Sequence, residues 1–159
     1  MSDPGPYPAE GTKAPSFTMV ADNGEKVSLS DFRGKKVVLY FYPEDDTPGC
    51  TKESCSFRDH HAEILARGAV VLGVSRDGTE SHVKFKRKYG LPFLLLTDAD
   101  GAVCQAYGVW QKKTFMGKTY MGIARTTFVV GADGRIQKVF PKVNVDAHTP
   151  EVLAALDAA

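Results

Sequence analysis

The sequence predicts an α/β fold built on a central mixed sheet with flanking helices, and three observations carry that expectation. Val37–Tyr42 and Val70–Val74 are short unbroken runs of β-branched, aliphatic and aromatic residues, the pattern of strands buried on both faces. The stretch between them reads as a helix, and strand, helix, strand in this length makes a right-handed βαβ unit with its strands parallel. Farther along, Arg125–Val130 and Arg135–Phe140 bracket Gly131-Ala132-Asp133-Gly134, which reads as a hairpin.

In chain order, Met1 to about Thr12 is Pro/Gly-rich and is expected to be a flexible extension, leaving 13–159 as one domain. Phe17–Val20 and Val27–Leu29 flank Asp22-Asn23-Gly24-Glu25, and Asn-Gly between two extended runs predicts an N-terminal β-hairpin. Ser30–Gly34 makes a short turn that feeds the buried strand Lys36–Tyr42. From Pro48 to about Arg67 the apolar positions Phe57, Ile64 and Leu65 share one helical face, with Gly68 placed to end the helix. Thr79–Tyr89 reads as a basic amphipathic helix with a solvated charged face, closed by Gly90. Phe93–Leu96 is a third apolar strand, followed by Asp98-Ala99-Asp100-Gly101 and a short helix through Tyr107. Trp110–Ile123 has no clear period and reads as a loop or a pair of weak strands, its aromatics Trp110, Phe115 and Tyr120 read as core or loop packing in preference to the rim of a site entrance. A last helix is expected with Thr149 as N-cap, Pro150 at N1, and Val152, Leu153 and Leu156 inward. A parallel βαβ half joined to an antiparallel hairpin half is a thioredoxin-like arrangement.

Composition narrows the function. A chain of 159 residues can bury roughly 68–70% of its unfolded surface without staples. With 20 basic and 19 acidic residues, charge gives no reason to propose nucleic acid or an anionic membrane as a partner. The N-terminus has neither the basic nor the apolar region of a secretory signal, and no run approaches the ~18 apolar residues of a membrane span. The expectation is a soluble, cytoplasmic protein, monomeric because no long apolar stretch argues for an obligate interface. Three cysteines are too few for a disulfide framework, so a close pair points to metal binding or redox chemistry.

That pair lies in Tyr42–Cys55, Y-P-E-D-D-T-P-G-C-T-K-E-S-C. Thr47-Pro48-Gly49-Cys50 reads as a helix start, with Thr47 as N-cap, Pro48 at N1 and Cys50 at N3. Unpaired N–H groups and the positive end of the helix dipole favour an anion there, so Cys50 is expected to ionise below the free-thiol value of about 8.5. Cys55 is five residues on, and in an intact helix the two Cα atoms stand about 8.7 Å apart. Disulfides need less than about 7 Å. Either the thiols never pair, or the first helical turns unwind when they do. Cys50, Cys55 and His60 do not share a helical face, and neither C-x-x-C nor H-x-x-x-H occurs, so no metal or cofactor is expected. Cys104, among small and apolar residues, reads as a buried hydrophobe.

Pro43, Thr47 and Cys50 in P-x-x-x-T-x-x-C, followed by Cys55 and by Arg125 in A-R-T-T-F, resemble the peroxiredoxins, specifically the peroxiredoxin Q or bacterioferritin comigratory protein branch. The resemblance runs from about Gly11 to the C-terminus. It implies a thiol peroxidase in which Cys50 attacks a hydroperoxide and becomes a sulfenic acid. It further implies that Cys55 resolves this acid into a Cys50–Cys55 disulfide, which thioredoxin or a similar dithiol reduces. By the same resemblance Thr47 holds the thiolate and peroxide, Arg125 lowers the thiol pKa and stabilises the departing oxygen, and Pro43 shields the site. Glu53 orients the arginine, and Gly49 helps orient substrate. Two other classes compete. A thioredoxin-type disulfide reductase needs C-x-x-C spacing and a cis-proline where this chain has Ala124-Arg125. A redox-responsive binding protein would use the disulfide only to expose an apolar surface.

Overall fold

The structure is a computed structural model that describes residues 6–141, 143–146 and 148–158. Its elements follow the expected order. β1 (Thr18–Ala21) and β2 (Lys26–Ser28) form the N-terminal hairpin, followed by β3 (Lys36–Phe41). Next come α1 (Pro48–Asp59), α2 (His61–Ala66), β4 (Ala69–Ser75), α3 (Thr79–Tyr89), β5 (Leu94–Thr97) and α4 (Ala102–Ala106). The chain ends with β6 (Trp110–Phe115), β7 (Lys118–Ile123), β8 (Thr126–Val130), β9 (Ile136–Pro141) and α5 (His148–Ala158).

Seven strands make one sheet in the order β2-β1-β5-β4-β3-β8-β9, while β6 and β7 pair separately. The central trio β5, β4 and β3 is parallel and the flanking pairs are antiparallel, so the sheet is mixed. Because β3 is central, its alternating side chains enter two cores. Val37, Leu39 and Phe41 join Phe17, Tyr107 and Phe128 on one face; Val38, Tyr40 and Tyr42 join Phe57, Ile64 and Phe85 on the other. Full burial of a side chain such as Phe57 contributes about 1.5–3 kcal/mol, which docks α1 against the sheet.

Four expectations need correction. The helix expected from Pro48 to Arg67 is two helices, broken at His60 (φ −106°, ψ 13°), where the ring Nδ1 lies 2.9 Å from the Ser56 carbonyl oxygen. The break ends the common apolar face: Phe57 and Ile64 are buried while Leu65 is half exposed. The last helix starts at His148, so Thr149 sits inside its first turn, bonded to the Ser56 hydroxyl at 2.6 Å, and does not cap it. From Pro6 onward the expected extension is packed: Tyr7 meets Phe128 edge-on, and Gly11 N–H donates to the Ile136 carbonyl. Residues 1–5 lie outside the described residues. Finally, the charged face of α3 is not wholly solvated, since Lys86 pairs with Asp22 and Lys88 with Asp46.

Trp110–Ile123 resolves to the strand pair, turned at Met116-Gly117, both with positive φ (50° and 77°). Gly73 on β4 is required by packing. A Cβ there would come within 2.8 Å of the Tyr40 ring and 2.9 Å of Leu95. Gly73→Ala is expected to destabilise the fold by about 1–3 kcal/mol, read as a lower urea midpoint at unchanged slope.

Candidate active site

The site forms where the carboxyl end of β3 meets the start of β8. Phe41 pairs with Thr126, so the antiparallel register puts Arg125 beside the segment through which β3 passes into α1. That segment is pinned from several sides. Asp46 adopts φ 57° and accepts bonds from Lys88 Nζ (2.8 Å) and the Tyr89 hydroxyl (2.6 Å). Asp45 is buried and accepts from the Tyr42 hydroxyl (2.5 Å) and the Ser81 hydroxyl (2.8 Å). It also lies 2.7 Å from Nδ1 of the fully buried His82.

α1 then begins as expected, with extended Thr47 (φ −101°, ψ 155°) before Pro48 at N1. The Thr47 hydroxyl does not cap the helix, however; it donates to the Glu44 carbonyl at 2.9 Å. Cys50 is 1% exposed. Arg125 Nη2 donates to its Sγ at 3.1 Å, and Nη1 donates to Glu53 Oε1 at 2.9 Å. Gly49 has a steric role: a Cβ there would stand 3.0 Å from Arg125 Nη2. Hence Gly49, Cys50, Glu53 and Arg125 form one contact cluster, and Pro43 lines an adjoining cleft of about 330 Å³ together with Lys113, Trp110 and Tyr120. Trp110 and Tyr120 rim this cleft, the alternative to the preferred packing reading, while Phe115 is 66% exposed and lies off it.

Cys55 is half-buried on the same helix, and Cys50, Cys55 and Cys104 are all free thiols. Cys104 is distant in character: burial pushes its thiol up, and the nearby Asp98 carboxylate adds to the shift. Among the described residues no group of three or more His, Cys, Asp or Glu side chains is placed to hold a metal ion.

The electrostatics are dominated by burial around one cation. Burial opposes the Arg125 charge, but the Glu53 carboxylate and the Cys50 sulfur outweigh it and hold the guanidinium pKa above its ordinary value. Burial pushes the Glu53 carboxyl up to about 7, against the lowering pull of Arg125. Three neighbours were missed from the sequence. Tyr40, its hydroxyl 2.8 Å from Ser54, is kept protonated chiefly by burial. Lys113 donates to the Ile123 carbonyl at 2.9 Å, and burial and Arg125 lower its pKa. His148 packs edge-on against Phe57 and lies 2.8 Å from the Thr127 hydroxyl. None carries a local motif, and only β-strand alternation near position 40 hinted at burial.

A cysteine at a helix amino end, held by an arginine beside a partly apolar cleft on a thioredoxin-like sheet, defines a thiol-based peroxidase. Comparison with known proteins agrees. Residues 11–139 match the model of the AhpC/TSA family. The chain is 55% identical over 146 residues to a putative peroxiredoxin Bcp of Coxiella burnetii, covering 92% of this chain and 97% of that one. It is 50% identical to the peroxiredoxin Bcp of Bacillus subtilis, covering 92% and 93%. A solved peroxiredoxin Q of Xanthomonas campestris superposes with a TM-score of 0.85 at 40% identity, over 89% and 90% of the two chains. The chain belongs to the AhpC/TSA family, within its peroxiredoxin Q/Bcp branch. It is accordingly a thiol peroxidase, with hydroperoxide as substrate and a thiol as reductant.

His148 gives a test of the site's surroundings. Burial, with help from Arg125, lowers its pKa from 6.5 to about 4, so folding favours the neutral ring. Its contribution to stability is present above pH 6.5 and is lost as pH falls through that window. Glu53 runs the opposite way: its raised pKa contributes fully below 4.5, and that contribution is lost as pH rises through about 7. In His148→Gln the stability lost between about pH 7 and about pH 4.5 should shrink by about 2 kcal/mol relative to wild type, measured by urea unfolding.

Proposed function

We propose that this single-domain chain reduces hydrogen peroxide and organic hydroperoxides with Cys50 as peroxidatic cysteine and Cys55 as resolving cysteine. The observation that carries the reading is the 3.1 Å bond from Arg125 Nη2 to Cys50 Sγ at the amino end of α1. A guanidinium and the unpaired N–H groups of the first helical turn both favour sulfur as thiolate, the nucleophilic form. The thiolate attacks the terminal peroxide oxygen; the O–O bond breaks, and its electron pair leaves on the second oxygen. Arg125 and the helix-start N–H groups then face the charge that develops there. Thr47 holds the peroxide through its hydroxyl, Gly49 leaves room for the guanidinium, and Glu53 orients it. Pro43 keeps water from the sulfur. The cleft beside Pro43, with Trp110 and Tyr120 on its rim, suits the carbon chain of an organic hydroperoxide.

Cys55 attacks the Cys50 sulfenic acid, expelling water and forming the intramolecular disulfide, which thioredoxin or a similar dithiol reduces in the cytoplasm. Both cysteines stand on α1, where five residues of intact helix hold the Cα atoms about 8.7 Å apart, beyond the reach of a disulfide. The start of α1 must therefore unwind in every cycle. The protein is expected to work as a monomer, since both sulfurs come from one helix and the scheme needs no second copy of the chain. Among the described residues no helix is long and apolar enough to cross a membrane.

Stopped-flow peroxide consumption tests the assignment. Cys50→Ser should abolish turnover, whereas Cys55→Ser should complete one oxidation and fail to cycle with thioredoxin. Arg125→Met should slow the oxidation by about 100-fold or more. An unchanged rate would remove Arg125 from the mechanism. Amide exchange across residues 47–58 should be faster in the disulfide form than in the dithiol form; equal protection in the two states would refute unwinding.

A further inference from the structure

The cluster around Arg125 contains two acids and one cation. Arg125 reaches Cys50 Sγ with one nitrogen and Glu53 Oε1 with another, and Cys50 and Glu53 are each 1% exposed. Ionising both acids would leave a net negative charge in a site nearly closed to water. Effective desolvation costs for such ions run to several kcal/mol each. Among the described residues Arg125 is the one cation bonded to either acid. Lys113 and Arg76 line the neighbouring cleft, but their bonds run to the Ile123 and Ala99 carbonyls and not to either acid. His148 on α5 is held neutral by burial. Tyr40 on β3 is bonded to Ser54 and adds no positive charge. Glu53 Oε2 is buried and has no hydrogen-bond partner among the described residues. A bare oxygen is far cheaper on a neutral carboxyl than on a carboxylate, where it carries half the charge.

We infer that Cys50 and Glu53 share one proton through Arg125: Glu53 is the protonated partner while Cys50 is a thiolate, and it gives that proton up when Cys50 is oxidised. This inference rests on the peroxidase reading above and adds a proton path to it. Attack forms the S–O bond and breaks O–O, leaving a sulfenic acid and an alkoxide or hydroxide that needs one proton. The sulfur is oxidised and the peroxide oxygen reduced. At the same moment the thiolate charge disappears, Arg125 keeps Glu53 as its one anionic partner at 2.9 Å, and the carboxyl ionises. Its proton balances the one taken by the departing oxygen. Reduction of the disulfide restores the thiolate, and Glu53 recovers a proton from solvent. The carboxyl value near 7 fits a group poised to switch in this way. Glu53 acts here through Arg125 as a positioning and proton-linked residue, and the pair titrates as a unit.

The test uses Cys55→Ser, which stops the cycle at the sulfenic acid. Its infrared difference spectrum on adding one equivalent of hydroperoxide should show loss of the carbonyl-stretch band of a protonated carboxyl, and Cys55→Ser/Glu53→Gln should lack that band. The ultraviolet thiolate band should titrate as a broad, coupled transition in wild type and as a simple one-site transition in Glu53→Gln. Formation of sulfenic acid without loss of the carboxyl band would overturn the inference and leave the peroxidase reading standing. Failure to form any sulfenic acid at Cys50 would overturn both.

Discussion

The forked guanidinium of Arg125 is the point on which the site depends, because it ties the start of β8 to the first two turns of α1. One nitrogen bonds Cys50 in the first turn of α1; another bonds Glu53 one turn later. The residue itself is fixed by β8, whose register with β3 places its start opposite the end of the strand that leads into α1. Lysine could not do this, since a point charge cannot present two separated donors in one plane. The geometry also explains Gly49. Any side chain at that position would press on the guanidinium from within the helix.

Holding the arginine is useful only if the loop from Pro43 to Thr47 is equally fixed. Asp45 and Asp46 supply that constraint. Asp46 takes the left-handed conformation, which aspartate tolerates better than most residues, and its carboxylate is clamped by Lys88 and Tyr89 at the end of α3. Asp45 is tied to Tyr42, Ser81 and His82, and His82 Nε2 in turn lies 3.1 Å from the Leu96 carbonyl of β5. The active loop is thus braced against α3 and β5, elements far from it in sequence. The face of α3 that looks merely charged in the sequence is what secures the approach to the cysteine.

Much of this was legible before the structure. The strands of the central sheet, the hairpin at Asn23-Gly24 and the helix start at Thr47-Pro48 follow from local pattern, because each is set by residues adjacent in the chain. The cluster of Pro43, Thr47, Cys50, Glu53 and Arg125 was legible through resemblance, Arg125 alone being remote in sequence. What was not legible depends on long-range contact. The break at His60 leaves no Gly or Pro signature, and it moves Leu65 to the surface. The strand pair of Trp110–Ile123 was legible only as one of two readings, because its local turn depends on Met116 adopting positive φ, which methionine rarely does. The burial of His82 and His148, and the role of Lys113, emerge only once sheet order brings α3, α5 and β6 to the site.

The proposed cycle sets a tension between activating the thiol and resolving it. The amino end of α1 favours the thiolate only while its N–H groups are ordered, and that order is reinforced by Pro48 at N1, by Phe57 in the core and by the Tyr40–Ser54 bond. Disulfide formation requires the same turns to open. The contacts differ in what oxidation does to them. Phe57 and Ser54 are indifferent to the charge on Cys50, whereas the bond from Arg125 to Sγ joins two opposite charges only while sulfur is a thiolate. Conversion to the neutral sulfenic acid therefore weakens the one contact that holds the first turn most directly and leaves the Phe57 anchor farther along in place. In the proposed cycle, unwinding is directed to the Cys50 end of the helix by chemistry at Cys50 itself, and the scheme needs no separate trigger for opening.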